Sequence, residues 1–257
     1  MAKEIWVLLR GLIREQAHWQ NIIDNLNARS QGNYTVLALD LLGNGKNFLK
    51  TSPLTIAKYT ESLRAEIKEN FLEKSSNIAV NLICYSLAGS VAIDWATRYP
   101  NEIKKVVLIN SSLPQICTLS ERINIREVLR RFNALIGKDL EQREKAILEL
   151  VSNQSDRMKN LPKWLNIQQI RPVSRKNLLR QLWAAATFKV PKQLPDNTAL
   201  ILASYGDRLV KCVCSQKLGK LAGWKVVFHE NAGHDLVLDA PDWLQKQLFD
   251  FMVNEQS

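Results

Sequence analysis

The stretch that most restricts the fold of this 257-residue chain is an apolar run that stops at a serine and continues with helical spacing. Residues 78–84 have the character of a buried strand, and residues 87–99 have the periodicity of a helix. A chain that passes from strand to helix so abruptly places Ser86 in strained dihedral angles and needs small side chains two positions away. Cys84 and Ala88 meet that need. The pattern predicts a nucleophile elbow at Ser86, although a serine that caps a helix gives a similar pattern.

A serine nucleophile requires a base that takes its proton, and the chain contains three histidines. His18 lies in a helix-like run and His229 in a strand-like run, where structural roles are more common. His234 follows a glycine in a loop and is free to point across the end of a sheet. We therefore predict that His234 is the base.

The base in turn requires an acid that orients its ring. Asp207 follows the strand-like run 199–204, which places a carboxylate at a strand's carboxyl end. Asp235 and Asp239 are rivals, but Asp235 adjoins the histidine and cannot easily turn back towards its ring. Asp207 is the predicted acid, and its alternative role is that of a turn aspartate bonded to its own backbone.

The order Ser86, Asp207, His234 is the order used by α/β-hydrolases, and nearly the whole chain is similar to that family. Residues 40–45 resemble its D-x-P-G-x-G loop with Leu42 in place of the proline, and residues 206–210 resemble its acid-bearing turn. The resemblance implies a serine esterase that cleaves a carboxylic ester or thioester through an acyl-enzyme, without a metal or organic cofactor. The rival interpretation is a non-catalytic binding protein on the same scaffold.

An acyl-transfer site also needs two backbone N–H groups that bind the oxyanion. Leu87, directly after the serine, is one predicted donor, and Leu12, after the early strand 5–9, is the other. Arg10 stands where the family usually has histidine. It either adapts the site to a charged substrate or supports the turn through its several donors.

Strand and helix patterns alternate, which predicts an α/β fold with a doubly wound, mostly parallel sheet and an inserted helical cap. Residues 1–112 and 193–257 are expected to form the hydrolase core, and residues 113–192 the cap. The predicted strands are 5–9, 35–41, 78–84, 106–110, 199–204 and 225–229. The predicted helices are 53–72, 87–99, 211–221 and 241–253 in the core, with 121–136, 139–152 and 174–188 in the cap.

The cap is expected to shape the acyl pocket, although a single aromatic residue at helical spacing is more often part of a core. Candidate substrate contacts in the cap are Phe132, Trp164, Trp183, Arg175 and Arg180.

Positive charge is concentrated in the cap. The chain has 35 basic and 25 acidic residues, and residues 113–192 alone contain 16 basic and 7 acidic ones. A field of one sign beside an active site raises the encounter rate with oppositely charged partners. An acidic acyl carrier protein, an anionic membrane surface and a merely solvated basic face all fit, whereas nucleic acid is disfavoured because no recognition motif accompanies the charge. In size, cap position and basic cap, the chain also resembles the pimeloyl-carrier-protein methyl ester esterases.

Two further features concern the location of the chain. No apolar run approaches the roughly 18 residues of a membrane span, and Met1 to Ile5 lack the character of a signal peptide. The four cysteines have no spacing typical of a disulfide framework or a metal site. The sequence therefore predicts a cytoplasmic enzyme.

Overall fold

The computed structural model describes residues 4–72 and 79–254 of the chain. Six parallel strands form one sheet in the order β2-β1-β3-β4-β5-β6. The strands are β1 (Glu4–Leu9), β2 (Tyr34–Leu39), β3 (Ala79–Tyr85), β4 (Ile103–Ile109), β5 (Thr198–Ser204) and β6 (Lys225–His229). The predicted α/β fold with a parallel sheet and an inserted helical region is confirmed. Ile78, the predicted first residue of the third strand, lies outside the described residues.

Twelve α-helices lie in the described part of the chain. They are α1 (Ile22–Arg29), α2 (Ile56–Ile67), α3 (Ala88–Arg98), α4 (Leu119–Arg122), α5 (Ile125–Arg130), α6 (Phe132–Ile136), α7 (Leu140–Val151), α8 (Leu161–Ile170), α9 (Arg175–Thr187), α10 (Val213–Ala222), α11 (Leu236–Asp239) and α12 (Pro241–Asn254). A π-helical turn, Lys68–Leu72, continues α2. Among the residues described, none of the helices combines the length and the apolar character that a membrane span requires.

Both faces of the sheet are covered, so its inner strands are apolar on both sides. On one face, Val7 and Leu82 pack in a single cluster with residues of α2, α3 and α10. On the other face, Leu8 and Ile83 pack with residues of α1 and α12. This double burial explains why the strands are continuous apolar runs in the sequence rather than alternating ones.

The sheet has a topological switch point between β1 and β3. The chain leaves β1 for β2 on one side and then returns to place β3 on the other side, so that Leu9 lies opposite Cys84. In open α/β sheets, ligands bind outside the carboxyl ends of the strands at such a point. The loops after β1 and β3 carry Leu12 and Ser86, and both therefore start from this edge.

Helices α4 to α9 lie between β4 and β5 and differ in part from the prediction. The predicted helix 121–136 is three short helices, because Asn124 accepts a bond from the Glu127 amide and begins a new helix there. Helix α8 was not predicted, since Pro162 reads as a break in the sequence. In the structure Pro162 lies in the first turn of α8, where proline lacks only an N–H that would be unpaired in any case.

Candidate active site

Ser86 occupies a sharp turn between β3 and α3. Its φ angle is +53°, in the left-handed region that side chains other than glycine rarely adopt. Its amide donates to the carbonyl of Ile109 at 2.8 Å, and its carbonyl accepts from the Ser111 hydroxyl at 2.9 Å. Cys84 and Ala88, the small residues on either side, are fully buried. The strained conformation is thus held by the neighbouring strand β4.

The loop after β1 lies directly against this turn. A Cβ atom on Gly11 would be 2.9 Å from the Ser86 Cβ and 3.0 Å from the Tyr85 carbonyl oxygen, so only glycine allows this approach. Within the described part of the chain, the backbone N–H groups of Leu12 and Leu87 donate to no acceptor. Both N–H groups therefore remain available beside the serine.

His234 and Asp207 form a buried pair. The Nδ1 atom of His234 is 2.7 Å from Oδ2 of Asp207, and both side chains are less than a tenth exposed. The other carboxylate oxygen of Asp207 accepts from the amides of Leu209 and Val210 at 2.8 and 2.9 Å. A carboxylate can only accept at these positions, so Nδ1 of the neutral imidazole carries the proton and Nε2 carries the lone pair.

The two rival carboxylates, Asp235 and Asp239, bind other groups. Asp235 receives a buried, two-pronged contact from Arg10, with distances of 2.5 and 3.3 Å. Asp239 accepts from the amides of Gly233 and Asn153, each at 2.7 Å. Of these three aspartates, the structure brings only Asp207 to the histidine ring.

Arg10 supports the fold of the site rather than projecting as a free charge. Its guanidinium carbon lies 4.5 Å from the centroid of the Tyr85 ring and 5.2 Å from that of Trp19. Through Asp235 it joins the loop after β1 to the loop that carries His234. Of the two sequence interpretations of Arg10, this geometry corresponds to the second, in which the guanidinium supports the turn.

Sequence reasoning missed two residues that position the histidine. Tyr85 donates from its hydroxyl to the His234 carbonyl at 2.5 Å and accepts from the Leu236 amide at 2.7 Å. Asn110 donates to the same carbonyl at 2.8 Å and accepts from the Ser204 amide. The available signal was a polar residue at the carboxyl end of each of two strands, where active-site groups of parallel sheets lie. Burial raises the pKa of Tyr85 well above its ordinary value, so the hydroxyl stays neutral.

A second set of residues that sequence reasoning missed connects the cap to the loop after β1. Gln181 of α9 accepts from the Ile13 amide at 3.1 Å and donates to Asn44 at 2.7 Å. Ile13 has a φ of +52°, and its carbonyl accepts from Gln168 of α8 at 3.4 Å. The loop that contains Leu12 is therefore held from the cap as well as from the sheet.

A mostly apolar cavity of about 350 Å³, here called the Ser86 cavity, lies between the sheet edge and helices α4 to α9. The residues from the sheet side include Leu12, Ser86, Leu87 and His234. The cap supplies side chains of mixed character, namely Arg122, Ile123, Val128, Phe132, Leu135, Ile136, Arg143, Ile147, Leu150, Val151, Gln168, Val173, Arg175, Leu178, Leu182 and Ala185. Predicted cap contacts Phe132 and Arg175 are thus on its wall.

The structure places the other three predicted cap contacts away from this wall. Trp164 is buried in a cluster between α7 and α8, with its ring against Arg14 and His18. Trp183 is 59% exposed on the outer surface of α9. Arg180 donates to the carbonyl of Ser52 instead. These predictions are corrected because helical spacing does not reveal which face of α8 or α9 meets the cavity.

A second concavity, of about 500 Å³, lies at the opposite end of the sheet, beside the first residues of β3 and β4. Among the described residues, its one carboxylate, Glu102, is already paired, since Arg64 contacts it at 2.5 and 2.7 Å. None of the Ser86, Asp207 and His234 side chains lines it. The chemistry of the site therefore belongs to the Ser86 cavity.

Comparison with known proteins agrees with this architecture. A model of the α/β hydrolase fold family matches residues 7–241. "Probable lysophospholipase BODYGUARD 1" from Arabidopsis thaliana is 27% identical over 110 residues, which cover 42% of this chain and 23% of that protein. The match therefore spans about a quarter of that relative's length.

Solved structures share the fold over nearly the whole chain. The enol-lactonase from Burkholderia xenovorans LB400 has a TM-score of 0.73 at 20% identity, covering 97% of this chain and 91% of that one. The 2-hydroxy-6-oxo-6-phenylhexa-2,4-dienoate hydrolase from Rhodococcus sp. strain RHA1 has a TM-score of 0.72 at 19% identity, covering 97% and 90%. At such identities the likeness concerns the fold alone.

Proposed function

Because this chain belongs to the α/β hydrolase fold family, we propose that it is a serine hydrolase that cleaves carboxylic esters or thioesters. The observation that carries the proposal is a single one. Ser86, in a strained turn, and His234, bonded to Asp207 at 2.7 Å, line the same cavity. A strained serine that shares a cavity with an oriented imidazole is the combination that acyl transfer requires.

In the proposed reaction, Nε2 of His234 takes the proton of the Ser86 hydroxyl as the oxygen attacks the carbonyl carbon. The developing negative charge on the carbonyl oxygen is bound by the amides of Leu12 and Leu87. The protonated His234 then gives its proton to the leaving alcohol or thiol, and an acyl-enzyme remains on Ser86. Asp207 stabilises the imidazolium through its bond to Nδ1.

Water completes the cycle by attacking the acyl-enzyme while His234 removes its proton. The acid product leaves, and the Ser86 hydroxyl is restored by the same histidine. The apolar side chains of the cap enclose the acyl chain, whose burial contributes binding energy in proportion to the area removed from water.

The first test is labelling with a fluorophosphonate, which reacts with an activated serine. We expect the wild-type protein to be labelled at Ser86 and to hydrolyse 4-nitrophenyl esters, and Ser86→Ala to lose both. Ser112→Ala is the matched control, since Ser112 lines the same cavity and the same hydroxyl is removed. An unlabelled, inactive wild type would favour the non-catalytic binding protein instead.

A finer proposal concerns how the acyl chain arrives. The cap has an excess of basic residues, and from 157 to 192 it has nine basic residues and no acidic one. This charge supports an acidic acyl carrier protein as the partner, with a pimeloyl methyl ester among the candidate substrates, and peripheral contact with an anionic membrane as the alternative. The cytoplasmic location stays a prediction from the sequence.

The carrier proposal is tested by comparing one ester on the carrier protein and on free pantetheine. We expect a higher kcat/KM for the carrier-bound ester at low salt, with the advantage lost at high salt because screening removes the attraction. Equal kcat/KM for the two esters at low salt would contradict the carrier-protein proposal and would leave the basic surface as a solvated face.

A further inference from the structure

We propose that the substrate carries an anionic group in addition to its ester, and that Arg122 binds this group inside the Ser86 cavity. The inference deepens the proposed function and rests on it for the ester, whereas the binding of the anion is tested separately below. It concerns a charge within the cavity and not the basic outer surface of the cap.

The wall of the Ser86 cavity contains five arginines and one carboxylate. The arginines on this wall are Arg10, Arg14, Arg122, Arg143 and Arg175, and the carboxylate is Asp235. Asp235 is paired with Arg10, so that pair contributes no net charge to the cavity. Arg175 is exposed and is solvated by water. The guanidinium groups of Arg14, Arg143 and Arg122 have to be balanced from behind the wall or by a ligand.

Arg14 is balanced from behind the wall. Its guanidinium contacts Glu144 at 2.9 Å, and both side chains are buried. Arg143 shares the same carboxylate, since its Nε lies 3.8 Å from the other oxygen of Glu144. Two guanidinium groups therefore face one carboxylate, and this part of the wall retains a positive charge.

Arg122 has no carboxylate within 4 Å among the described residues. Its one hydrogen bond to protein runs from a terminal nitrogen to the Ala185 carbonyl at 3.2 Å. Its Nε is buried without a partner in the described part of the chain. Burial lowers the pKa of Arg122 from its ordinary value. Removing a guanidinium from water is costly unless it is paired, which makes Arg122 a site that gains from an anion.

The carboxylate nearest to Arg122 along the chain is directed elsewhere. Glu121 contacts Lys217 of α10 at 2.6 Å and accepts from the Thr118 amide at 2.9 Å. Arg122, the last residue of α4, points instead to the wall that it shares with Ser112 and Val210. The short helix α4 thus places the Glu121–Lys217 ion pair at the surface and the unpaired Arg122 guanidinium at the cavity.

The chemistry of arginine defines the ligand. A guanidinium presents donors in a planar fork that matches a carboxylate or a phosphate, and such charged bonds are stronger than neutral ones. The rest of the cavity is mainly apolar, so the anion is joined to the ester through an apolar chain or a short linker. The anion can belong to the acyl part, as in a dicarboxylic acid monoester, or to the alcohol part, as in an acylglycerol phosphate.

The experiment compares matched pairs of esters. For the acyl side, the pair is 4-nitrophenyl hydrogen suberate and 4-nitrophenyl octanoate. For the alcohol side, it is 1-octanoylglycerol 3-phosphate and 1-octanoylglycerol. We expect the wild-type protein to prefer the anionic member of one pair in kcat/KM by about 10- to 100-fold, chiefly through KM, as charged hydrogen bonds of this kind provide.

Three variants show whether Arg122 is the cause. In Arg122→Met the ratio of anionic to neutral kcat/KM should fall towards one, and in Arg122→Lys part of it should remain. Arg126→Met is the matched control, since Arg126 is exposed on α5 and does not line the cavity. A ratio within one variant is insensitive to loss of folded protein. A wild-type ratio near one in both pairs, or a ratio unchanged in Arg122→Met, overturns the inference.

Binding to Ser86→Ala separates this inference from the proposed function. Calorimetry measures the affinity of monomethyl suberate and methyl octanoate for that variant, with and without Arg122→Met. One outcome is that the wild type hydrolyses no ester, while the anionic ester still binds more tightly than the neutral one and does so through Arg122. In that case the proposed reaction fails and the anion site stands. If esters are hydrolysed but neither binding nor turnover depends on Arg122, the anion site fails alone.

Discussion

The sheet wall and the cap wall of the Ser86 cavity differ in how many buried contacts fix their side chains. On the sheet side, the His234 carbonyl accepts two buried hydrogen bonds, and Asp207 accepts bonds on both of its oxygens. On the cap side, helices α4, α5 and α6 contain no buried residue, and Leu129 and Phe132 are 63% and 46% exposed. Helices α7 and α8 form a small buried cluster, against which Val128 and Leu135 pack partly buried.

Under the proposed function, this difference lets one cavity serve two purposes. Proton transfer and oxyanion binding need atoms placed within a fraction of an ångström, which dense buried hydrogen bonding provides. Recognition of an acyl chain tolerates looser placement, because apolar contacts have little directionality. Substitutions on the sheet side should therefore change rate or stability strongly, and substitutions on the early cap helices should change selectivity.

The largest effect is expected for Asp207→Asn. An asparagine presents either an amide donor or a weaker acceptor to Nδ1. The His234 imidazole is then no longer held in the tautomer protonated on Nδ1, and the imidazolium loses its negatively charged partner. We expect kcat to fall roughly 1,000- to 10,000-fold while the protein stays folded. Ester hydrolysis and circular dichroism check this, with Asp242→Asn, an exposed aspartate of α12, as the control. A fall below tenfold would assign the acid to another residue.

The next effect concerns the buried pair of Arg10 and Asp235. Arg10→Met leaves a buried carboxylate without its cation and should destabilise the protein by about 3–5 kcal/mol in urea unfolding. Arg10→Met combined with Asp235→Asn should recover part of that loss, because neither charge is then left alone. Equal loss in the single and the double variant would show that packing against Tyr85 and Trp19 matters more than charge.

A smaller effect lies at the junction of the two walls. His18 is buried between Arg14 and Trp164, and burial holds the pKa of His18 well below its ordinary value near 6.5. The unfolded chain then binds a proton that the folded chain does not, so stability is complete above pH 6.5 and is lost as the pH falls below it. The free energy of unfolding should fall by up to about 1.4 kcal/mol per pH unit through this residue.

His18→Gln provides the check on that slope. Urea unfolding between pH 5 and pH 7.5 should show a shallower dependence in the variant than in the wild type. An unchanged slope in His18→Gln would assign the pH dependence to other groups.

The smallest effect on stability is expected on the cap wall. Phe132→Ala removes a half-exposed ring that lines the cavity, so the melting temperature should change by less than about 2 °C. The preferred length of 4-nitrophenyl acyl esters should shift to longer chains because the cavity is enlarged. Trp183→Ala, at an exposed ring outside the cavity, should leave the preferred length unchanged. A large loss of stability in Phe132→Ala would contradict the contrast between the two walls.

Much of the sheet side could be predicted from local sequence patterns. Most of the strands are mainly apolar runs, and the turn at Ser86 is recognisable because small residues flank a serine where strand becomes helix. The prediction of β4 began three residues late, at Val106, because Lys104 and Lys105 interrupt the apolar pattern. Lys105 is nevertheless buried in the strand.

The cap could be predicted less well, and the reason is physical. None of the residues in its first three helices is fully buried, so the ends of these helices depend on single capping contacts such as the one at Asn124. Periodicity identifies an apolar face but not its neighbour, which is why Trp164 was expected at the cavity and lies in the cap's own cluster. The bonds of Gln181 and Gln168 to the Ile13 loop have no local signal at all.

The sequence by itself determined the order of strands and helices, the position of the elbow and a short set of candidate acids and bases. Those features depend on side-chain size, periodicity and residues near one another along the chain. Only the tertiary structure decided that Asp207 meets His234, that Asp235 is paired with Arg10 more than 200 positions away, and that Arg122 lacks a carboxylate. Such pairings follow from which loops the folded sheet brings to one edge, and no local pattern encodes that proximity.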